Sequence, residues 1–230
     1  MSDVAGFLQE LIRIRSLPGE EAEIARRVIL EMERLGYDEV DLDGAGNVLG
    51  RIRGAGDGPS VMLNTHLDHV EAGDPAGWPH PPFEGVRDGG RIWGRGAVDI
   101  KGPLAAQVYG AARAAGEGER PAGDVWVTAV VQEEVGGLGA RHLVGRLGPD
   151  LVAVGEPSSN QLRRGHRGRV ELEARIRGRS AHASAPDRGR NPLYGLAAFL
   201  DALPSVELPT HPELGPATVA PTLVGTDQGS

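Results

Sequence analysis

Two short segments carry residue types that can hold metal ions. Asn64-Thr65-His66-Leu67-Asp68 supplies one imidazole and one carboxylate, and Gly94-Arg95-Gly96-Ala97-Val98-Asp99-Ile100-Lys101-Gly102 supplies another carboxylate further along the chain. Gln132-Glu133-Glu134 and Gly155-Glu156-Pro157 then add more acids. One imidazole and several carboxylates in this order suit two metal ions that share a carboxylate. The residues therefore indicate a metal-dependent hydrolase.

His66 and Asp68 lie at the end of a predicted strand. Because side chains alternate along a strand, both point to the same side. Asp68 can then accept the second ring N–H of His66 and fix its tautomer. The alternative is a hydrogen-bonded core histidine beside a turn aspartate, but the acids further along the chain favour the metal-binding interpretation.

Each of the later acids also has a structural alternative. Asp99 lies in a glycine-flanked turn that opens a predicted helix, where it can bridge two cations or act as a helix N-cap. Glu133 and Glu134 are adjacent, and burying two neighbouring carboxylates is costly unless cations compensate; a solvated loop pair is the alternative. Glu156 precedes a proline, which favours extended backbone, and it can equally be an ordinary strand-end acid.

Composition limits the chemistry and the partners. The 230 residues suit one large domain or roughly one and a half ordinary ones, and the absence of cysteine leaves His, Asp and Glu as metal ligands. A net charge of −8 argues against nucleic acid as the partner. The N-terminus lacks the basic and apolar regions of a signal peptide, and no run approaches a membrane span. We therefore expect a cytoplasmic protein with no membrane partner.

Apolar periodicity predicts an α/β fold. Segments 124–131 and 151–154 are almost continuously apolar, which is typical of strands buried on both faces. Strands alternating with helices predict a mixed sheet flanked by helices, with most of the acids just past strand ends. The predicted helices cover 4–15, 20–35, 102–115 and 136–147, and the predicted strands cover 48–52, 61–67, 124–131 and 151–154.

A second, smaller α+β domain is predicted over residues 164–230, after a catalytic domain over residues 1–163. Strict alternation over 170–177 indicates a strand with one solvated face. Residues 191–203 are predicted as an amphipathic helix and residues 217–224 as a further strand. This β-α-β run stops at Ser230, so we expect the second domain to be incomplete.

Together these motifs resemble the dinuclear zinc hydrolases that include acetylornithine deacetylase, succinyl-diaminopimelate desuccinylase and carboxypeptidase G. The resemblance covers essentially the whole chain. Two further segments look like a selenium-metabolism-linked branch of that family: Arg164-Gly165-His166-Arg167-Gly168-Arg169-Val170-Glu171-Leu172 and Gly178-Arg179-Ser180-Ala181-His182-Ala183-Ser184-Ala185-Pro186. The resemblance implies a zinc-exopeptidase-like catalytic sheet and a lid domain.

The resemblance also implies two divalent ions, zinc or cobalt, and the residues that hold them. His66 and Glu156 would be ligands of one ion, Glu134 would be a ligand of the other, and Asp99 would bridge the two. In such proteins a further histidine near the C-terminus completes the second site. Nothing follows Ser230 here, so we expect this second site to lack that ligand.

Three other residues receive roles from the same resemblance. Glu133 would be the general base, Asp68 would orient His66, and His182 of the lid domain would reach a partner subunit's active site and steady the oxyanion. The peptide bond between Asp99 and Ile100 is expected to be cis.

The implied reaction is hydrolysis of an amide bond in an N-acyl amino acid or short peptide by activated water, in a homodimer formed through the lid domain. A deacylase, a dipeptidase and a carboxypeptidase would share all of these residues. We expect the chain to be the N-terminal portion of a longer enzyme, with unpaired strand edges and exposed apolar surface. The alternative is an inactive fragment that acts only as a metal-binding or dimerisation module.

Overall fold

The structure, a computed structural model, describes residues 3–116 and 120–226. By its internal contacts the chain divides into two compact units, Met1–Asn160 and Gln161–Ser230. Among the described residues, no helix combines the length and apolar character needed to cross a membrane.

A mixed sheet organises the first unit, as the sequence predicted, and it has five strands, of which the strand Glu39–Leu42 was not predicted. The strands of this unit are β1 (Glu39–Leu42), β2 (Val48–Ile52), β3 (Val61–His66), β4 (Val86–Asp88), β5 (Arg91–Trp93), β6 (Val125–Val130) and β7 (Leu151–Val154). The order in the sheet is β1-β2-β6-β3-β7, and β4 and β5 form a separate hairpin. The pairs β1–β2 and β2–β6 are antiparallel, whereas β3 runs parallel to both β6 and β7.

The parallel strands end at one edge of the sheet. His66 is in register with Val130, and Asn64 is in register with Val154. The carboxyl ends of β3, β6 and β7 therefore lie side by side, and the residues that follow each strand share this edge.

Two long helices pack on the sheet, a third packs against one of these two, and a short fourth helix follows β6. They are α1 (Val4–Arg13), α2 (Ala22–Arg34), α3 (Gly102–Gly116) and α4 (Leu138–Leu143). Asp3 caps α1 by accepting a hydrogen bond from the backbone N–H of Gly6 at 2.7 Å. Gly36, just past the end of α2, has a left-handed φ of 80° that favours glycine.

The core lies where these helices meet the sheet. It is built from apolar side chains that are almost fully buried, including Phe7, Leu11, Ile24, Val28, Met32, Val48, Ile52, Leu104, Val108, Val127 and Ala129. The sequence predicted β6 to be covered on both faces, and the side chains from Val127 to Val130 are all buried. This packing fixes the strands that end at the shared edge.

Two predictions for the first unit were wrong in detail. The helix expected over 136–147 is only α4, because Gly136, Gly137 and Gly145 all adopt positive φ and break the helical backbone at both ends. The strand β7 is formed, but it is not buried: Leu151 is 59% exposed and Val154 is also 59% exposed. Its apolar run suggested a central strand, whereas it lies at an edge of the sheet.

The second unit contains α5 (Pro192–Ala202) and a short hairpin of β8 (Thr210–His211) and β9 (Gly215–Pro216). Asn191 caps α5, which confirms the helix predicted over 191–203. The strands predicted over 170–177 and 217–224 are not formed, and this prediction was wrong. Alternation shows that a segment has two different faces, but a strand also needs a pairing neighbour, which alternation does not specify. Several apolar side chains of α5 are exposed, Tyr194 most of all.

Candidate metal centre

His66 ends β3 and turns its ring toward the shared edge of the sheet. Its side chain is buried, and Nδ1 lies 3.0 Å from the main-chain oxygen of Asp68 and 3.4 Å from the carboxylate of the same residue. A ring N–H donated to Asp68 leaves Nε2 free to act as a ligand. The closest acceptor of this N–H is the backbone oxygen, whereas the sequence suggested the carboxylate.

Asp99 faces Nε2 of His66 from an irregular turn, Ala97–Lys101, that precedes α3. One of its carboxylate oxygens lies 3.2 Å from Nε2. The peptide bond between Asp99 and Ile100 is cis, as the resemblance implied. The carboxylate is about half exposed, so it can reach both the imidazole and solvent.

Glu156 approaches the same nitrogen from the end of β7. The backbone N–H of Gly155 donates to Asn64 at 2.8 Å, which extends the β3–β7 pairing to the residue before Glu156. A carboxylate oxygen of Glu156 then lies 3.8 Å from Nε2 of His66. His66, Asp99 and Glu156 each place one ligand atom within 4.8 Å of the others.

Glu133 and Glu134 lie on the segment after β6, at the same edge. Asp68 holds this segment: its two carboxylate oxygens accept the backbone N–H groups of Glu133 at 3.0 Å and Glu134 at 3.1 Å. The Glu133 carboxylate lies 3.9 Å from Nε2 of His66 and is half exposed. From the sequence, Asp68 was assigned only to His66. Its hydrogen bonds to the backbone of Glu133 and Glu134 were not predicted, because no local pattern links residues so far apart in the chain.

Five carboxylates surround a single imidazole here, and their mutual repulsion shows in the pKa values. Burial raises the pKa of Glu134, and the charge of Asp99 raises it further. Burial also raises the pKa of Glu156; His66 opposes this rise, and the neighbouring carboxylates add to it. Burial disfavours a charged His66, but hydrogen bonds with Asp68 and Asp99 outweigh it and raise its pKa to about 10. The cluster has an excess of negative charge that a cation would relieve.

Two distances from the His66 imidazole fit a shared divalent ion. Two ligand atoms bound to one Zn²⁺ at about 2.0–2.1 Å cannot be more than about 4.2 Å apart. The imidazole of His66 satisfies this limit with both Asp99 at 3.2 Å and Glu156 at 3.8 Å. One nitrogen and several carboxylate oxygens are donors that Zn²⁺ and related divalent ions accept.

One further predicted residue, His182, and two buried polar residues of the first unit have other partners. His182 belongs to the second unit, where it is exposed and its Nδ1 contacts the hydroxyl of Ser184 at 2.8 Å. His69 is buried, and its Nε2 accepts the backbone N–H of Ser16, so its role is structural. Lys101, the only lysine in the chain, is fully buried and donates to the backbone oxygen of Ile14 at 2.7 Å.

A comparison of sequences identifies a matching family. The profile of Peptidase family M20/M25/M40 matches residues 62–224. This range contains every residue of the cluster described above.

Several relatives match over most of this chain. The protein YgeY of Escherichia coli (strain K12) is 35% identical over 206 residues, which cover 88% of this chain and 50% of YgeY. A succinyl-diaminopimelate desuccinylase of Alkalilimnicola ehrlichii is 34% identical over 215 residues, which cover 88% of this chain and 57% of the relative. The chain therefore spans about half the length of these relatives.

Solved structures share the fold. The M20 family metallo-carboxypeptidase Sso-CP2 from Sulfolobus solfataricus superposes with a TM-score of 0.60 and 22% identity, over 67% of this chain and 37% of that protein. A tripeptidase from Staphylococcus aureus gives a TM-score of 0.61 and 21% identity, over 87% of this chain and 56% of that protein.

Proposed function

The chain belongs to peptidase family M20/M25/M40, and from this premise we propose that it is a hydrolase of amide bonds in N-acyl amino acids or short peptides, dependent on divalent metal ions. The observation that carries the proposal is the convergence of Asp99, Glu133 and Glu156 on one nitrogen of His66. The desuccinylase relative, which covers most of this chain, supports an N-acyl amino acid as substrate.

The residues divide into ligands and a base. We assign His66 and Glu156 to one ion, Glu134 to a second ion, and Asp99 to both. When bound, zinc or cobalt ions would polarise the scissile carbonyl and make water more nucleophilic at neutral pH. The exposed Asp99 and Glu156 carboxylates leave this edge open to a substrate.

Glu133 is the proposed general base. Its carboxylate is half exposed and close to Nε2 of His66, so it can reach a water molecule at the cluster. It would take a proton from the attacking water and return that proton to the leaving amine. Asp68 supports this role because it fixes the backbone of Glu133 and accepts the ring N–H of His66.

Substitution of the base tests the proposal. The chain is loaded with Zn²⁺ or Co²⁺ and incubated with N-acetylornithine, N-succinyl-diaminopimelate and dipeptides, and the released amine is measured. Glu133→Gln should lower turnover by about 10²–10⁴-fold, the usual contribution of a general base, and should leave metal content unchanged. Glu20→Gln removes an exposed carboxylate outside the cluster and is the matched control, which should keep the turnover of the parent.

Two outcomes contradict these assignments. Loss of metal together with turnover in Glu133→Gln would make Glu133 a ligand. A metal-loaded chain that hydrolyses none of these compounds would refute the enzymatic function and favour a metal-binding or dimerisation module.

The assembly of the protein is also part of the proposal. We propose a homodimer formed through residues 164–230, with His182 contributing to the partner's site, and a cytoplasmic location. Light scattering on the chain and on a variant that lacks residues 164–230 measures the oligomeric state directly. A monomer at micromolar concentration would contradict it.

A further inference from the structure

The segment that carries the glutamate pair is held by side chains from distant parts of the chain. Four consecutive backbone N–H groups donate to side-chain oxygens: Val131 to Asn47 at 3.0 Å, Gln132 to Glu21 at 3.0 Å, Glu133 to Asp68 at 3.0 Å and Glu134 to Asp68 at 3.1 Å. We call residues 131–134 the glutamate segment.

Regular secondary structure does not supply these bonds. The strand β6 ends at Val130 and α4 begins only at Leu138, so the glutamate segment lies between them. Gln132 has a left-handed φ of 52°, a conformation that non-glycine residues keep only where their surroundings impose it. Among the described residues, the side-chain oxygens of Asn47, Glu21 and Asp68 hold the backbone of the glutamate segment in this conformation.

Glu21 is the unexpected member of this set. It lies at the start of α2 and is only 5% exposed, although burying a carboxylate is costly. Its oxygen accepts the N–H of Gln132, the residue directly before Glu133 and Glu134. A buried carboxylate needs hydrogen-bond donors, and the backbone N–H of Gln132 is the donor that the structure describes for the Glu21 side chain.

We propose that Glu21 is a positioning residue for the reaction: it fixes the backbone of Gln132 and thereby the directions of the Glu133 and Glu134 side chains. Asn47, which is fully buried, holds the start of the same segment, since its side-chain oxygen accepts the backbone N–H of Val131. The inference rests on the proposed function, because positioning has a catalytic meaning only if Glu133 and Glu134 act on a substrate or metal.

Two variants of similar size separate the hydrogen bond from the packing. Glu21→Gln keeps an oxygen that can accept the N–H of Gln132, whereas Glu21→Met fills the same space without an acceptor. Glu20→Met, at the exposed neighbouring residue, is the control for adding a methionine here.

The first readout is amide hydrogen exchange in the unloaded chain, measured by NMR. The Gln132 amide should exchange at least about 10-fold faster in Glu21→Met, and should stay within about threefold of the parent in Glu21→Gln and Glu20→Met. The parent supplies a test without any variant: an unprotected Gln132 amide in the unaltered chain would overturn the proposal, even if Glu21→Met does not fold.

The second readout is kinetic. In Glu21→Met kcat should fall by about 10–100-fold, because a small displacement of a catalytic group is costly. In the same variant KM should change by no more than about twofold, and Glu21→Gln should restore kcat. A lower melting temperature in Glu21→Met with the kcat and Gln132 exchange of the parent would show a merely structural role and overturn the proposal.

Failure of the proposed function can be told apart from failure of this inference. If the metal-loaded parent hydrolyses nothing, the function is refuted, and the visible absorption of bound Co²⁺ replaces kcat as the readout. A spectrum altered in Glu21→Met and normal in Glu21→Gln would support positioning of Glu134. Identical spectra in the parent and both variants would overturn it.

Discussion

Asp68→Asn is the substitution that tests the organisation of the cluster in most depth. The carboxylate of Asp68 is fully buried, and its two oxygens accept the N–H groups of Glu133 and Glu134. An asparagine side chain offers one oxygen and one NH₂ group, so one of these two N–H groups loses its acceptor. The residue is nearly the same size, so packing is preserved.

The magnitude follows from the lost bond. A hydrogen bond to a charged group contributes about 1.5–3 kcal/mol, and a buried donor without an acceptor adds to the loss. We expect Asp68→Asn to lower the free energy of unfolding by about 2–3 kcal/mol. For a protein of this length that corresponds to a fall of about 4–12 °C in Tm.

The contribution of Asp68 to the free energy of unfolding should also depend on pH. Burial alone would raise the pKa of Asp68, but His66 and the backbone N–H groups of Glu133 and Glu134 lower it below its usual value. A lowered pKa means that the ionised carboxylate stabilises the fold above about pH 4 and that this contribution is lost as the pH falls through the folded-state pKa. Asp68→Asn has no ionisable carboxylate at this position, so its stability should lack the part of the pH dependence that Asp68 contributes.

Thermal unfolding followed by circular dichroism is the assay, with EDTA present so that bound metal does not contribute. Asp57→Asn, an exposed aspartate in the turn before β3, is the control. The reasoning would be refuted if Asp68→Asn and Asp57→Asn unfolded within about 0.5 kcal/mol of each other at pH 7, the range expected for a surface substitution.

Two further predictions concern the strand end and acid stability. Gly155→Ala would place a Cβ 2.7 Å from the Thr65 side chain, so the end of β7 must shift and carry Glu156 with it. We expect the affinity for Zn²⁺, measured by calorimetry, to fall by about 10-fold or more. Gly148→Ala, where the space around the new Cβ is open, is the control. Burial opposes ionisation of Glu31, but its bonds to two arginines and a tyrosine lower its pKa to about 2. Its contribution is present above pH 4.5 and is lost toward pH 2. In acid titrations followed by circular dichroism, Glu31→Gln should therefore show less loss of stability over this range than the parent, and equal losses would contradict the assignment.

The sheet and its acidic edge could be predicted because local sequence determines them. Alternation and apolar runs placed β3 and β6 within one residue at each end, and the acids follow these strands directly in the sequence. Parallel strands then bring their carboxyl ends together, so the proximity of His66 and Glu156 follows from the topology. Asp99 reaches them from the turn before α3, at the position that its glycine-flanked motif marked in the sequence.

The parts that could not be predicted depend on contacts between distant residues. The exposure of β7 depends on its place at the sheet edge, which its apolar sequence does not encode. The strand expected over 170–177 has alternation but no pairing neighbour among the described residues. The bond between Glu21 and Gln132 joins a helix start to a loop, and no periodic pattern signals such a contact.

Zinc binding by the parent and by His66→Asn tests the central claim most directly, because all the proposed chemistry depends on a cation at Nε2 of His66. Titration calorimetry should show tight binding of at least one Zn²⁺ per parent chain. His66→Asn should bind at least about 100-fold more weakly, since it removes the nitrogen donor, whereas His80→Asn, in the loop before β4, should bind like the parent. A parent chain that binds no Zn²⁺, or a His66→Asn variant that binds it as tightly as the parent, would contradict the account.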